Sequence, residues 1–295
     1  MKIRLSSSGI HIFNRLTGLN ILLDELKVPS TFWAKVPRQV SIALTNICDL
    51  DCPFCFAPKN NAMLNYDLVI KWINELDNNG CLGIGFGGGE PTLHPRIIEL
   101  CRYAAKCTNL AVTLTTHAHG LNEKMVAALS GHIHFIRVSM DGVGATYTSL
   151  RNKSFDTFLH CLQQAKDIAP LGINFLVNAR TIPDLELAVA LATDVGASEF
   201  LLLPEQPANG NDGIDSETIN RLHSWVSGYN GRILLSVSEL GSGNLPTCDP
   251  CVNEKGLDAY AHIDATGILK RSSFDSEGIV IGNSSIVETI NQFRN

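Results

Sequence analysis

Cys48-Asp49-Leu50-Asp51-Cys52-Pro53-Phe54-Cys55 decides how this chain is read. Its three thiols lie within eight residues, directly after Val40-Ser-Ile-Ala-Leu44, an apolar run that reads as a buried strand. Thiolates at short loop spacings are what an iron–sulfur cluster needs, because a tight loop can aim several sulfurs at one cube. A cube of four irons needs four ligands and this loop supplies three, so one iron stays open to bind something else. Two plainer readings use the same residues. A structural zinc is normally held by four closed ligands, and no fourth Cys or His stands at finger-like spacing nearby. Unligated cysteines are also often core residues.

The 295 residues fit one large α/β domain with room for a small appendage. A hydrophobic content of 45% against 18% charged residues indicates a buried core rather than disorder. The net charge of −6 argues against a broad nucleic-acid surface, which needs a basic excess. No apolar run reaches membrane-spanning length, and the start at Met1-Lys-Ile-Arg4 lacks the apolar stretch of a signal peptide. The nine cysteines are odd in number and clustered, which suits a reducing compartment and metal ligation better than a disulfide frame. A cytoplasmic protein is expected.

From Gln39 a strand–helix rhythm begins and predicts a parallel sheet with crossover helices. Before it, Ile10–Phe13 reads as a strand, Arg15–Gly18 as a turn and Asn20–Glu25 as a short helix, forming a packing extension or a substrate contact. A helix is expected over Tyr66–Asn78, with Asn65 as its N-cap and Gly80 as its stop. The second strand, Leu82–Phe86, runs into Gly87-Gly88-Gly89-Glu90-Pro91-Thr92. Three glycines weaken a strand, so they are read as permitting close approach of the main chain to a ligand, with the Glu90 carboxylate beside it. A helix near Arg96–Lys106 leads to strand Ala111–Thr115 and then to Thr116-His117-Ala118-His119-Gly120. Strand His134–Ser139 leads to Met140-Asp141-Gly142, which also fits a plain turn, with Arg151 downstream. A helix around Phe155–Ile168, strand Asn174–Asn178, helix Asp184–Val195 and strand Glu199–Leu203 complete six units, followed by Pro204-Glu205-Gln206-Pro207. Side chains at the C-terminal mouths of such strands face an active site, so His117 is a catalytic candidate. The polar stretch Asn209–Asp215 is read as a lid or a solvated loop, and Cys81, Cys101, Cys107 and Cys161 as core thiols.

The order of these motifs resembles the radical S-adenosylmethionine (SAM) superfamily. The resemblance implies a partial (β/α)6 TIM-type barrel over residues 39–238, a short N-terminal extension over 1–38, and a small C-terminal β-hairpin/helix cap over 239–295. It implies that Cys48, Cys52 and Cys55 hold one [4Fe–4S] cluster whose open iron is chelated by SAM. For SAM itself it implies Phe54 at the adenine and Gly87, Gly88, Gly89, Glu90 and Pro91 at the methionine ammonium. By the same resemblance Ser139 meets the ribose, Thr116, Asp141 and Asn178 are further contacts to SAM, and Arg151 lies close to its carboxylate. Leu203 then leads into Pro204–Pro207, where the backbone contacts adenine and Glu205 is a second catalytic candidate.

The last segment carries Cys248-Asp-Pro-Cys251, Gly256, a hairpin around Asp264-Ala-Thr-Gly267, Ile281-Gly-Asn283 and a helix over Ser285–Phe293. It resembles a shortened auxiliary-cluster region (SPASM or twitch), except that Ser272 stands where a cysteine is expected. Only Cys248 and Cys251 remain, which implies a degenerate cap without a second cluster. By the same resemblance an external one-electron donor of the flavodoxin or ferredoxin type drives cleavage of SAM to a 5′-deoxyadenosyl radical, which abstracts a substrate hydrogen. The first substrate reading is a ribosomally made peptide. A separate leader-peptide-binding protein would serve it, since the 38-residue extension is short for a built-in winged-helix reader. The second is a small metabolite: a nucleoside, sugar or amino acid. A third, of a different class, is a non-catalytic metal-binding module, against which the set Glu90, Ser139, Asp141 and Asn178 argues.

Overall fold

The computed structural model describes residues 1–207, 212–238, 242, 243, 245, 248 and 250–294. Strands β1 (Lys2–Ser6), β2 (Gly9–Asn14) and β3 (Leu19–Leu23) form a small antiparallel sheet at the N-terminus. The helix expected over Asn20–Glu25 is therefore a strand. Six residues are too few to sustain an isolated helix, whereas Leu19–Leu23 pairs residue for residue with β2, from Asn14↔Leu19 to Ile10↔Leu23. The turn is set by Asn14, whose side-chain oxygen accepts from Leu16 N at 3.0 Å, and by Gly18 at φ 73°. Arg15 fastens this sheet to the main body by donating to the carbonyls of Ala105, Thr108 and Leu110.

The six parallel strands follow in chain order: β4 (Gln39–Thr45), β5 (Gly83–Gly88), β6 (Ala111–Thr116), β7 (Phe135–Ser139), β8 (Leu171–Val177) and β9 (Glu199–Pro204). Helices α1 (Tyr66–Asn78), α2 (Ile97–Cys107), α3 (Glu123–Leu129), α4 (Ala145–Arg151), α5 (Phe155–Lys166) and α6 (Leu185–Val195) connect them. Helix α1 begins where expected, with Asn65 Oδ1 accepting from Asp67 N and Leu68 N. Helix α7 (Ser216–Gly228) and β10 (Leu234–Val237) add a seventh parallel strand beside β9 that the sequence reading did not anticipate.

Alternation within the strands divides the sheet into two faces. Ile42, Leu44, Ile84, Phe86, Val112, Leu114, Ile136, Val138, Ile173 and Phe175 are buried under the helices. The intervening positions, Ser41, Gly85, Gly87, Thr113, Thr115, Arg137, Ser139 and Asn174, are polar or small and turn to the inner side. An α/β barrel whose interior is only structural fills it with bulky branched residues. This inner face is built for a polar occupant.

After the main sheet, β11 (Tyr260–Ile263) pairs in parallel with β4, matching Tyr260 to Gln39 and His262 to Ser41. Strands β12 (Ile268–Lys270) and β13 (Ile279–Val280) follow antiparallel, so the sheet is open, with β10 and β13 at its ends. Helix α8 (Ile286–Arg294) packs on α1, where Glu75 Oε2 accepts from Ile286 N at 2.6 Å and from Ser285 Oγ at 2.9 Å. Among the four cysteines read as core thiols, Cys81, Cys101 and Cys161 are buried but Cys107 is exposed. The buried stripe of α2 runs through Ile97, Leu100, Cys101, Ala104 and Ala105, and Cys107 is the last residue of the helix, beyond the end of that stripe. No helix among the described residues is long and apolar enough to cross a membrane.

The fold also makes stability depend on pH. Burial holds His119, His134 and His262 down to about 4, with nearby cations adding to the effect, and Arg15 does so at His134. An unfolded histidine protonates near pH ~6.5. Between that value and about 4 the unfolded chain therefore binds protons that the folded chain refuses, and stability falls as pH falls. Urea midpoints taken from pH 7.5 down to 5 should decrease. The variant His134→Asn, whose side-chain oxygen can still accept from Val112 N as His134 Nδ1 does, should decrease less steeply. An unchanged slope would remove His134 from this account.

Candidate functional site

The cysteine loop leaves β4 and doubles back, with Cys55 N donating to Cys52 O at 3.1 Å. None of the nine cysteines is in a disulfide. Cys48 Sγ accepts from Leu50 N at 3.4 Å. Burial raises the Cys48 thiol above its ordinary value and pushes Cys52 up to about 11. Each of the three sulfurs also lies within electrostatic reach of the others. Three thiols drawn together in a partly desolvated loop, with a backbone N–H already aimed at one sulfur, suit a positively charged iron centre that keeps them deprotonated. The donor set fits a cluster.

The glycine run does something different from what its sequence suggests. A Cβ on Gly88 (φ +127°) would stand 2.2 Å from Thr45 O, and one on Gly89 would stand 2.4 Å from Ile47 O. Gly89 N donates to Thr45 O at 2.6 Å and Glu90 N to Ile47 O at 2.8 Å. The close approach at these two positions is thus to the backbone entering the cysteine loop, which the run holds against β5. Only Gly87 faces open space, its nearest prospective contact being Thr115 Cβ at 4.0 Å.

Glu90 is 1% exposed and gathers four donors. Oε1 accepts from Thr92 N (3.0 Å), Thr92 Oγ1 (2.6 Å) and Thr116 Oγ1 (2.7 Å), and Oε2 accepts from His117 N (3.0 Å). Pro91 opens the short 3-10 turn that these bonds stabilise. The His117 ring then reaches across to Asp49 Oδ1 at 2.7 Å, tying the mouth of β6 to the cysteine loop. Burial alone would raise the Asp49 carboxyl, but His117 and Lys153 outweigh it and hold it low. Cys48, Asp49 and His117 bring their ligand atoms within 4.8 Å of one another. Asp49 and Thr92 were missed from sequence, although both sit inside stretches already singled out. Replacing Glu90 by Gln turns amide hydrogens toward donors that need an acceptor, at a cost of about 1–3 kcal/mol. Urea unfolding of Glu90→Gln should show that loss, and a change well under ~1 kcal/mol would mean the carboxylate is dispensable to the fold.

Asp141 and Arg151 meet ten residues apart. Arg151 Nε donates to Asp141 Oδ2 at 2.5 Å, its Nη2 pairs with the same oxygen, and Leu176 N donates to Asp141 Oδ1 at 3.3 Å. The carboxylate therefore anchors the guanidinium, which lies 5.7 Å over the Phe54 ring and within reach of Cys52. Asp141 and nearby Cys52 hold Arg151 protonated despite its burial. Asn178 Nδ2 donates to Glu205 Oε2 at 2.8 Å, joining the exits of β8 and β9. A cavity of about 220 Å³ opens between Phe54, Asn178, Glu205 and Asp215. Ser139 pairs with Asn174, and Leu203 with Leu176, on the inner face beside it. His119, also at the β6 exit, bonds Tyr147 OH at 2.9 Å within an aromatic cluster and supports the floor of this region.

Of the stretch Asn209–Asp215, residues 209–211 lie outside the described residues, and Gly213–Asp215 line the cavity just named. In the C-terminal region Cys248 is exposed and Cys251 buried, and Asp249 between them lies outside the described residues. Ser272 shapes a turn, with its N–H donating to Asp275 Oδ2 and its Oγ accepting from Phe274 N, each at 3.0 Å.

The sequence model of the Radical SAM superfamily matches residues 42–188. A PqqA peptide cyclase from Rhodopseudomonas palustris is 32% identical over 173 residues, 54% of this chain and 45% of that protein. A probable GTP 3′,8-cyclase from Saccharolobus islandicus is 24% identical over 177 residues, 58% of each. The chain thus spans about half the length of the curated relatives it matches. Among solved structures, SuiB of Streptococcus suis bound to S-adenosylmethionine superposes with a TM-score of 0.78 at 14% identity, covering 100% of this chain and 89% of that one. That likeness is one of fold, an open parallel sheet with helices outside. The sequence match spans the cysteine loop, the Gly-Gly-Gly-Glu-Pro turn and the Asp141–Arg151 pair, and by it the chain belongs to the radical SAM superfamily.

Proposed function

We propose that this protein is a radical SAM enzyme acting on a ribosomally made peptide. The observation that carries the reading is the convergence of the cysteine loop, Glu90 and Arg151 around one polar mouth of the sheet. Cys48, Cys52 and Cys55 would hold a single [4Fe–4S] cluster. Such a cluster would supply the one electron, drawn from an external donor, that splits SAM into methionine and the hydrogen-abstracting 5′-deoxyadenosyl radical.

The chain's own work is binding and positioning. Glu90, fixed by Thr92, Thr116 and His117, sets a buried negative charge near the cluster loop, where the SAM ammonium needs one. Arg151, held by Asp141, offers a cation for the SAM carboxylate. Phe54 lines the cavity that the adenine would enter, Leu203 would add backbone contacts, and Ser139 and Asn178 would supply polar partners for SAM. Glu205 and His117 are the groups this reading assigns to the substrate side of the site.

The peptide reading draws on the relatives named a PqqA peptide cyclase and on SuiB, which has also been solved bound to its precursor peptide SuiA. It takes an external flavodoxin- or ferredoxin-type donor, a separate leader-binding protein and a cytoplasmic setting. The test is to incubate the reconstituted enzyme, SAM and a reductant with the short peptides encoded beside its gene. A mass change in one peptide that requires SAM supports the reading. Unchanged peptides alongside a modified nucleoside or sugar would transfer it to the small-metabolite class.

A further inference from the structure

A second cavity, of about 330 Å³, lies between the cysteine loop and the C-terminal hairpin, over Ala43 and Gly88 on the inner side of the sheet. It shares no lining residue with the cavity at Phe54, and of the residues assigned to SAM it takes Gly88 among the described lining. The hairpin supplies His262, which is 8% exposed. Its Nδ1 is 2.7 Å from Ser41 Oγ, which is in turn 2.5 Å from Tyr260 OH. No hydrogen bond to the opposite ring nitrogen, Nε2, is made among the described residues, and that nitrogen is not one of the fully enclosed unpartnered atoms, so it opens to the cavity that His262 lines. An imidazole fixed at one edge presents the other to whatever enters.

Across from it, Asn46 Nδ2 donates to Asn60 Oδ1 at 3.0 Å. That pairing leaves the Asn46 oxygen and one donor face of Asn60 available. One carboxamide acceptor and one carboxamide donor are the complement of a second amide. The charges point the same way. Asp264 and Asp275 line the cavity with Lys270 as the cation, and Lys270 Nζ is already 3.1 Å from Asp264 Oδ2. With two carboxylates against one tied ammonium, the lining is net negative and disfavours a phosphate or carboxylate. Phe56 and Phe274 meet at the rim with ring centroids 4.6 Å apart, and each is about half exposed, as a cover over a bound chain would be.

We propose that this cavity binds an amide-bearing, neutral or cationic segment of a peptide, with His262 Nε2, Asn46 and Asn60 as its polar contacts, and excludes anionic substrates. This rests on the peptide reading above and adds where the segment sits and which charge it carries.

The test is saturation-transfer NMR on the full chain, reconstituted anaerobically and saturated with SAM. The probes are N-acetyl-lysinamide, N-acetyl-alaninamide, N-acetyl-aspartic acid amide and GTP. The lysine and alanine probes should bind at least about tenfold more tightly than the aspartate probe and GTP. His262→Phe should weaken both favoured probes about tenfold or more. Because that variant could perturb packing, Asp275→Lys provides a second arm. It reverses the net charge of the lining and should invert the preference between the lysine and aspartate probes while iron content stays unchanged. Amide binding indifferent to both variants would place the segment elsewhere and overturn the proposal while sparing the peptide reading. GTP binding that depends on His262 would overturn the assigned ligand class and the peptide reading together. Failure of every probe to bind would overturn the proposal.

Discussion

Purified Cys52→Ala should carry almost no iron and release no deoxyadenosine, while its far-ultraviolet circular dichroism stays that of the unsubstituted protein. Cys52 is the most buried of the three loop thiols and the one nearest the Arg151–Asp141 pair. A cluster with three protein ligands has no spare, so losing the most enclosed one leaves an iron exposed on its protected side. The fold should survive. The loop turn is closed by the Cys52 carbonyl, which alanine retains, and the core lies on the other face of the sheet. Full iron loading of the alanine variant would show that other residues hold the metal, with Asp49 and His117 the first to examine.

Arg4→Met should destabilise the protein by about 3–5 kcal/mol, read as a drop in the urea midpoint. Arg4 is 2% exposed and joins three separate parts of the chain. Nη1 donates to Val36 O at 2.9 Å and Gly80 O at 2.8 Å, Nη2 to Asp258 O at 2.9 Å, and Nε to Glu254 Oε2 at 3.2 Å. Without it, Glu254 would be a buried carboxylate facing only Arg38 at 3.7 Å, with Oε1 already lacking a partner. Breaking one half of a buried pair costs much more than the pair contributes. The double variant Arg4→Met/Glu254→Gln should therefore recover part of the loss. A single-variant effect below ~1 kcal/mol, or no recovery in the double, would show that this contact does not clamp the N-terminal sheet and β11 to the body.

Much of the main sheet was legible because it obeys local rules. Strands β4 to β6 alternate an apolar residue for the helices with a small or polar one for the inner face, and β7 and β8 keep the pattern at Arg137, Ser139 and Asn174. The caps at Asn65 and Gly80 bound α1 by their own chemistry. What escaped was non-local. Leu19–Leu23 is an apolar run whose periodicity fits either state, and its pairing with β2 decides it. The parallel match of Tyr260–Ile263 to Gln39–Ile42 joins segments more than two hundred residues apart and has no local signature.

The site divides in the same way. The three cysteines announce themselves by spacing, whereas the contacts that orient Glu90 come from Thr92, Thr116 and His117 on different elements. Glycine identity signalled a close approach correctly, but Gly88 and Gly89 approach backbone. Sequence marks where a side chain is missing without saying what fills the space. Likewise the neighbours of Asp141 marked it as a ligand contact, and did not reveal that its carboxylate also holds Arg151.

The most direct test of the central claim is iron and sulfide content per chain after anaerobic reconstitution, followed by deoxyadenosine release with SAM and dithionite. The account predicts about four irons with matching sulfide, and deoxyadenosine that appears only when SAM and reductant are both present. Zinc in place of iron, or an intact cluster that never yields deoxyadenosine, would contradict it.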